Sequence, residues 1–405
     1  MKYVIVVIPG MADLPLTALG GRTPLEAAST PHLDRLAARG RFGTVQIVPD
    51  DAPQGSVIGL PALMGYDPLQ WTLKRGPLEA AGMGIAVGRD DLVMRLNFIS
   101  TFRGTMADTR AGHIADREAQ VLLESLRSIK TPLDLSIHIG LGYRHLMVVH
   151  GGAPLEVGTI PPQEVLGHPL RDFYPFGRDA QPFARFLDDS AAILAPHDIN
   201  RVRVDLGENP ADAVWLWGEG IDQDLPTVGS RLGLKSAMVA AAPLVRGLAI
   251  KAGLFCPTIP GATGDRDTDL PAKLKAALDE LSRNDLVYVH VAAVNEASRA
   301  GDADGKVRDL EGIDRELIGS LLSWVEEKDR ERRILVTSDH QTLVHPEKKS
   351  DEPVPFAMFG AGIEGVRSRP FTEKAARSAD LKLPDARAML DFFFGTKGRG
   401  YAAGR

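Results

Sequence analysis

The chain has 405 residues, with 47 Lys and Arg against 53 Asp and Glu for a formal charge of −6, and is 44% hydrophobic and 25% charged. That is globular composition, and a mild acidic excess without any long basic run gives no electrostatic footprint for nucleic acid. The single cysteine, Cys256, excludes an intrachain disulfide framework.

Residues 2–8 (KYVIVVI) form a continuous β-branched run closed by Pro9 and Gly10, the pattern of a central parallel strand buried on both faces. The run is too short for a signal-peptide core or a membrane span, so a cytoplasmic protein with no membrane partner is expected. Residues 77–229 read differently. They hold a helical pattern at 116–126, a strand-like 146–150 and many breaks such as Thr159-Ile160-Pro161-Pro162, which predicts an inserted second domain. Helical periodicity returns at 271–281 and 310–327, each followed by an apolar run, 286–291 (LVYVHV) and 334–337 (ILVT). Strands alternating with helices predict an α/β fold with crossover connections. The expected organisation is a discontinuous first domain, residues 1–76 plus 230–405, interrupted by a domain at 77–229. The Gly-rich residues 395–405 are expected to fray.

In open α/β sheets, ligands bind beyond the carboxyl ends of the strands. Those ends are Pro9-Gly10-Met11-Ala12-Asp13, residues 292–299 and Ser338-Asp339-His340, with Ser56 in a further Pro/Gly-rich loop. A carboxylate beside an imidazole suits zinc or manganese. On spacing alone, the better reading of Asp339 is a cap for the next segment beside a surface His340, and Ser56 is more often a turn former than a nucleophile.

The ordered segments VIPGMADLPLTALGGRTPLEAASTPHLDRL, QGSVIGLPALMGYDP, KRGPLEA, AGHI, GYRHLMVV, NPADAVWLWGEG, GATGDRDTD, VYVHVAAVNEASRAGD and TSDHQT with DEPVPF run from end to end of the chain. Together they resemble the cofactor-independent phosphoglycerate mutases of the archaeal type, a branch of the alkaline phosphatase superfamily. The resemblance implies an alkaline-phosphatase-like α/β domain, with a mainly parallel sheet flanked by helices, and an inserted smaller α/β (α+β) domain. It also implies two divalent metals, usually manganese, and a serine that carries the phosphoryl group between the hydroxyls of phosphoglycerate. Metal coordination would activate that serine and clamp the phosphoryl oxygens.

Carried over by residue, the resemblance puts the nucleophile at Ser56 and one metal pair at Asp339 and His340. At the other ligand positions Pro9 replaces an Asp, Asn295 an Asp, Arg299 a His, and Lys349 (or Lys348) a His; Val57 and Leu60 replace an acidic residue and an Asn near the nucleophile. Loss of anionic ligands weakens metal binding, so no metal, or a weakly bound divalent ion (manganese or magnesium in the family), is expected. Arg299 is expected to pair with Asp339. The resemblance assigns substrate contacts to Arg75, His113, Arg144, His145, Arg201, Arg203 and Lys235, with a small phosphorylated metabolite such as phosphoglycerate as partner. A family His-Asp pair becomes Gln163-Glu164. The expected function is a family member whose mutase catalysis is impaired, a binding or regulatory homologue. The alternatives are an active mutase with a reduced metal centre, and a metal-free phosphoryl transferase acting on another phosphorylated metabolite.

Overall fold

The computed structural model describes residues 1–49, 55–327, 331–345, 352–365 and 369–395. The chain divides into two units, Met1–Leu73 with Leu225–Arg405, and Lys74–Asp224.

The first unit is built on a seven-stranded sheet. Its order is Leu381–Leu383, Arg41–Val45, Val354–Gly360, Arg332–Thr337, Lys2–Val7, Leu286–His290, Ser236–Val239. Lys2–Val7 is central and runs parallel to both neighbours, and only Val354–Gly360 is antiparallel to the strands beside it. The unbroken apolar character of the central strand follows from burial on both faces. On one face Val4, Val6, Val287, Val289, Ile334 and Val336 pack against Leu33, Leu36, Ala277, Leu281, Leu310 and Leu321 from the covering helices. On the other, the buried Tyr288 hydroxyl donates to the Leu63 carbonyl at 3.1 Å, at the end of helix Ser56–Leu63. Each buried aliphatic side chain contributes on the order of 1.5–3 kcal/mol. The α/β reading, a mostly parallel sheet flanked by helices, is what the structure has.

The helical pattern at 310–327 belongs to a longer run. It begins at Ala303, where Asp302 caps the first turn by accepting from the Gly305 amide at 2.8 Å, and passes through a π turn at Asp314–Ile318 into Gly319–Glu326. The turn places the Asp314 carboxylate over the start of helix Pro31–Arg39, where it accepts from the His32 and Leu33 amides at 3.1 and 2.7 Å. Thr30 makes no side-chain cap there, so Asp314 supplies the missing acceptor from another helix.

The second unit holds an antiparallel sheet. Leu92–Phe102 lies between Arg144–Val149 and Ala213–Gly220; Leu135–Leu141 pairs with the outer side of Arg144–Val149, and Thr105–Asp108 with the far end of Leu92–Phe102. Alternation divides the central strand. Leu92, Met94, Leu96 and Phe98 join a core with Leu122, Leu123, Phe183, Phe186 and Leu187 from helices Asp116–Leu126 and Gln181–Leu194. Val93, with Leu146 and Val148, packs on Ala80 of helix Arg75–Met83. Among the described residues no helix is long and apolar enough to cross a membrane.

Candidate functional site

In the first unit, the ends of three adjacent strands and the start of helix Ser56–Leu63 converge. The Pro9-Gly10 turn leaves the central strand, and the Gly10 amide donates to the His340 carbonyl at 3.1 Å. Gly10 adopts a φ of +69°, and a Cβ there would meet Thr342 Cβ at 3.0 Å and Asn295 Cα at 3.2 Å. Pro9, Asn295 and His340 are therefore neighbours, as strand-end reasoning requires. Asp339 is wholly buried, and its Oδ1 lies 2.8 Å from His340 Nδ1. Burial pushes the Asp339 carboxyl up, but His340, His290 and the Ser56 hydroxyl facing it together hold it below the ordinary carboxylate range. Asp339 Oδ2 is buried with no hydrogen-bond partner among the described residues.

Helix Ser56–Leu63 reaches Asp339 because residue 59 is glycine: a Cβ at Gly59 would stand 1.9 Å from the Asp339 carbonyl oxygen. Gly59→Ala is therefore expected to destabilise the protein by about 2–3 kcal/mol and to pull Ser56 away from Asp339. Urea unfolding tests the first expectation, and a crystal structure of the variant the second. Leu60, at a polar position of the resemblance, is fully buried.

Two of the substituted positions, Asn295 and Arg299, are engaged by neighbouring side chains. Asn295 Oδ1 accepts from the Thr342 hydroxyl at 2.7 Å, and its Nδ2 donates to Glu296 Oε1 at 2.9 Å. Arg299 departs from expectation. Its guanidinium lies 3.6 Å from Glu296, three residues back on helix Ala293–Arg299, while Asp339 Oδ1 is paired with His340. Residues three apart on a helix are surface neighbours, so the local partner wins. Lys348 and Lys349 lie outside the described residues. Below the loop, Lys306 is wholly buried and donates to Asp13 Oδ2 at 2.7 Å and to the Thr342 carbonyl at 3.0 Å. Asp13 also accepts from the Val344 amide at 3.1 Å, and its own amide donates to Glu373 at 3.0 Å. Burial pushes the Glu373 carboxyl up to about 6.

Two buried groups beside the site escape a reading by motif. Lys273 donates to the His290 carbonyl at 3.1 Å, and burial pulls its ammonium down to about 8. Burial likewise brings the His290 imidazole down to about 4, against the smaller opposing pull of Asp339, and its Nε2 has no partner among the described residues. The available signal was helical phase: Lys273 falls on the stripe of Ala277, Glu280 and Leu281, whereas the Lys275 side chain is 79% exposed. Between an unfolded pKa near 6.5 and a folded value of about 4, the unfolded chain holds the extra proton. The stability that neutral His290 confers is thus complete above about pH 6.5 and lost as pH falls toward 4, with about 2 kcal/mol gone by pH 5. Urea midpoints at pH 7 and pH 5 check this, and the difference should shrink in His290→Gln.

Lys235, also in the first unit, is exposed, with its backbone amide on Asp285. In the second unit Arg75 and Arg95 both reach the buried Glu79, at 2.9 and 2.5 Å, and both guanidinium groups lie over the Trp217 ring, at 4.9 and 5.4 Å. Burial raises the Glu79 carboxyl, but the two arginines bring it below its ordinary value. Asn97 accepts from Arg95 at 3.1 and 3.0 Å and sits opposite Arg144 in the register. His145 points to the other face, edge-on to Phe98, and burial followed by Arg95 lowers its pKa to about 3. His113 is exposed at φ +54° in a short turn, and Arg201 pairs with Asp198 on the surface. Arg203 is 3% exposed and is engaged by Glu118, Glu208 and the Asn209 and Ala111 carbonyls. Gln163 and Glu164 are exposed in a 3-10 turn.

Residues 37–200 match the family model described as 2,3-bisphosphoglycerate-independent phosphoglycerate mutase. The mutase of that description from Methanosarcina mazei is 37% identical, across 96% of this chain and 98% of its own length. The probable mutase of Geobacter sulfurreducens is 36% identical, across 96% and 99%. The chain belongs to the 2,3-bisphosphoglycerate-independent phosphoglycerate mutase family. Among solved structures, a protein of Pyrococcus horikoshii aligns over 100% of this chain and 99% of its own at 25% identity, with a TM-score of 0.78. The cofactor-independent phosphoglycerate mutase of Thermoplasma acidophilum covers 98% of this chain and 100% of its own at 25% identity, with a TM-score of 0.59.

Within this family member, a pair of divalent cations would need clustered carboxylate and imidazole donors. Pro9 offers none, both polar ends of the Asn295 amide are engaged, and Arg299 brings a positive charge. Among the described residues no three His, Cys, Asp or Glu side chains are grouped to hold a metal ion. The residues at these strand ends do not fit a two-cation centre.

Proposed function

We propose that this family member binds a small phosphorylated metabolite of the phosphoglycerate type and that its mutase chemistry is impaired, leaving a binding or regulatory protein. The observation that carries this reading is the set of contacts among Asn295, Thr342, Glu296 and Arg299, whose side chains engage one another beside a Pro9 that offers no ligand atom. A serine hydroxyl is a weak nucleophile unless a base or a cation activates it, and removing the ligands removes that activation. Retention of a phosphorylated ligand is supported by two features. Ser56 opens a helix whose amide end favours anions, and Arg75, with a partly exposed side chain over Trp217, keeps in the second unit a guanidinium that the resemblance assigns to the substrate.

A second reading, turnover from a reduced centre of Ser56, Asp339 and His340, is favoured by the unpartnered Asp339 Oδ2. A coupled assay of 3-phosphoglycerate to 2-phosphoglycerate conversion, with manganese and with a chelator, separates the two when metal is analysed in the same sample. The first reading expects no turnover and binding of phosphoglycerate by calorimetry. Chelator-sensitive turnover lost in Ser56→Ala would overturn it in favour of the second.

A further inference from the structure

The outer hairpin of the second unit carries a histidine pair that the mutase reading does not use. Ser136 and His138 lie on the edge strand Leu135–Leu141, and His150 follows the partner strand Arg144–Val149. Ser136 is opposite Val148, His138 is opposite Leu146, and the His150 amide donates to the Asp134 carbonyl at 2.8 Å. The period of two puts all three side chains on one face. There the Nε2 atoms of His138 and His150 lie 2.9 and 3.1 Å from the same atom, Ser136 Oγ. Behind His150, Asp91 Oδ2 stands 3.4 Å from Nδ1, and that carboxylate is fixed by the Gly88 and Gly151 amides at 2.9 and 3.1 Å.

We propose that His138 and His150, with the Ser136 hydroxyl between them, form a binding site for a late first-row divalent ion such as Zn²⁺. The carboxylate holds the His150 proton on Nδ1 and so turns the Nε2 lone pair toward Ser136, the carboxylate–imidazole arrangement that orients metal ligands. Ser136 Oγ is the shared partner of both Nε2 atoms, and a cation held between the rings takes its place as that partner. Imidazole donors with the carboxylate one layer out suit zinc, copper or nickel and leave manganese and magnesium poorly served. The His150 side chain is 44% exposed, so an ion reaches it from solvent.

The site is independent of the phosphoglycerate reading, and its test is made on the full chain. Zn²⁺ is titrated calorimetrically in a His340→Gln background, which removes the imidazole paired with Asp339 in the first unit. His138→Gln and His150→Gln should each weaken Zn²⁺ binding by at least about tenfold, Asp91→Asn should weaken it by roughly ten- to a hundredfold, and Mn²⁺ should not compete. Should a substitution unfold the hairpin, diethyl pyrocarbonate labelling of the unaltered protein decides, with Zn²⁺ expected to protect His138 and His150 from modification. Unchanged Zn²⁺ affinity in the double histidine variant, or equal labelling with and without Zn²⁺, would overturn the proposal.

Discussion

Lys306→Met is expected to destabilise the protein by about 3–5 kcal/mol, the usual effect of leaving one member of a buried ion pair alone. Lys306 and Asp13 have side-chain exposures of 0% and 1% at a separation of 2.7 Å, so solvent cannot take over from the missing ammonium. Glu373, already pushed up to about 6, stands beside the same pair through the Asp13 amide and would lose a nearby cation. Asp13→Asn alone should cost a similar amount, because it leaves the ammonium without a counter-charge. The double variant should cost clearly less than the two single losses added together, since the remaining groups are neutral. Urea unfolding of the four proteins gives the coupling directly. A Lys306→Met loss under about 1 kcal/mol would mean that the pair is hydrated in solution.

Restoring the four ligand types, with Pro9→Asp, Asn295→Asp, Arg299→His and Lys349→His together, is expected to raise Mn²⁺ affinity by more than about a hundredfold. The changes add two carboxylates and two imidazoles and remove two positive charges. Without metal the restored side chains repel one another and Thr342 loses its neutral partner, so the variant should be less stable than the parent. Added Mn²⁺ should reverse this, by about 2.7 kcal/mol at a concentration a hundredfold above Kd. A manganese-dependent rise in Tm, present in the variant and absent in the parent, is the readout, and mutase turnover should appear alongside it. A variant indifferent to manganese would show that these substitutions are not what separates this chain from a metal-binding centre.

The sequence was most informative where both faces of a strand are buried. Residues 2–8, 286–291 and 334–337 read as strands from apolar run-length alone, and the structure has Lys2–Val7, Leu286–His290 and Arg332–Thr337. Helix Asp116–Leu126 has the predicted bounds because its buried positions keep helical phase. Arg41–Val45 and Leu381–Leu383 were not legible, being short, interrupted by charge or glycine, and specified by their neighbours in the sheet. At the candidate site, the convergence of Pro9, Asn295, Asp339 and His340 followed from strand ends. The pairing of Arg299 did not, because two carboxylates compete for it and only the fold sets which is nearer. Lys273, His290 and Lys306 were invisible as motifs, since a buried cation is defined by what covers it.

The central position of Lys2–Val7 has a consequence for biosynthesis. Its two sheet partners are Leu286–His290 and Arg332–Thr337, so the strand made first has nothing to pair with until nearly three hundred further residues have been translated. At ~5–20 residues per second that is a wait of roughly 15–60 s, during which one of the most apolar segments of the chain stays exposed. The residues of the second unit, Lys74–Asp224, are contiguous and leave the ribosome well before that wait ends. Nascent chains stalled between residues 225 and 285 should therefore expose KYVIVV to chaperones, and the first unit should be the slow, aggregation-prone step of refolding.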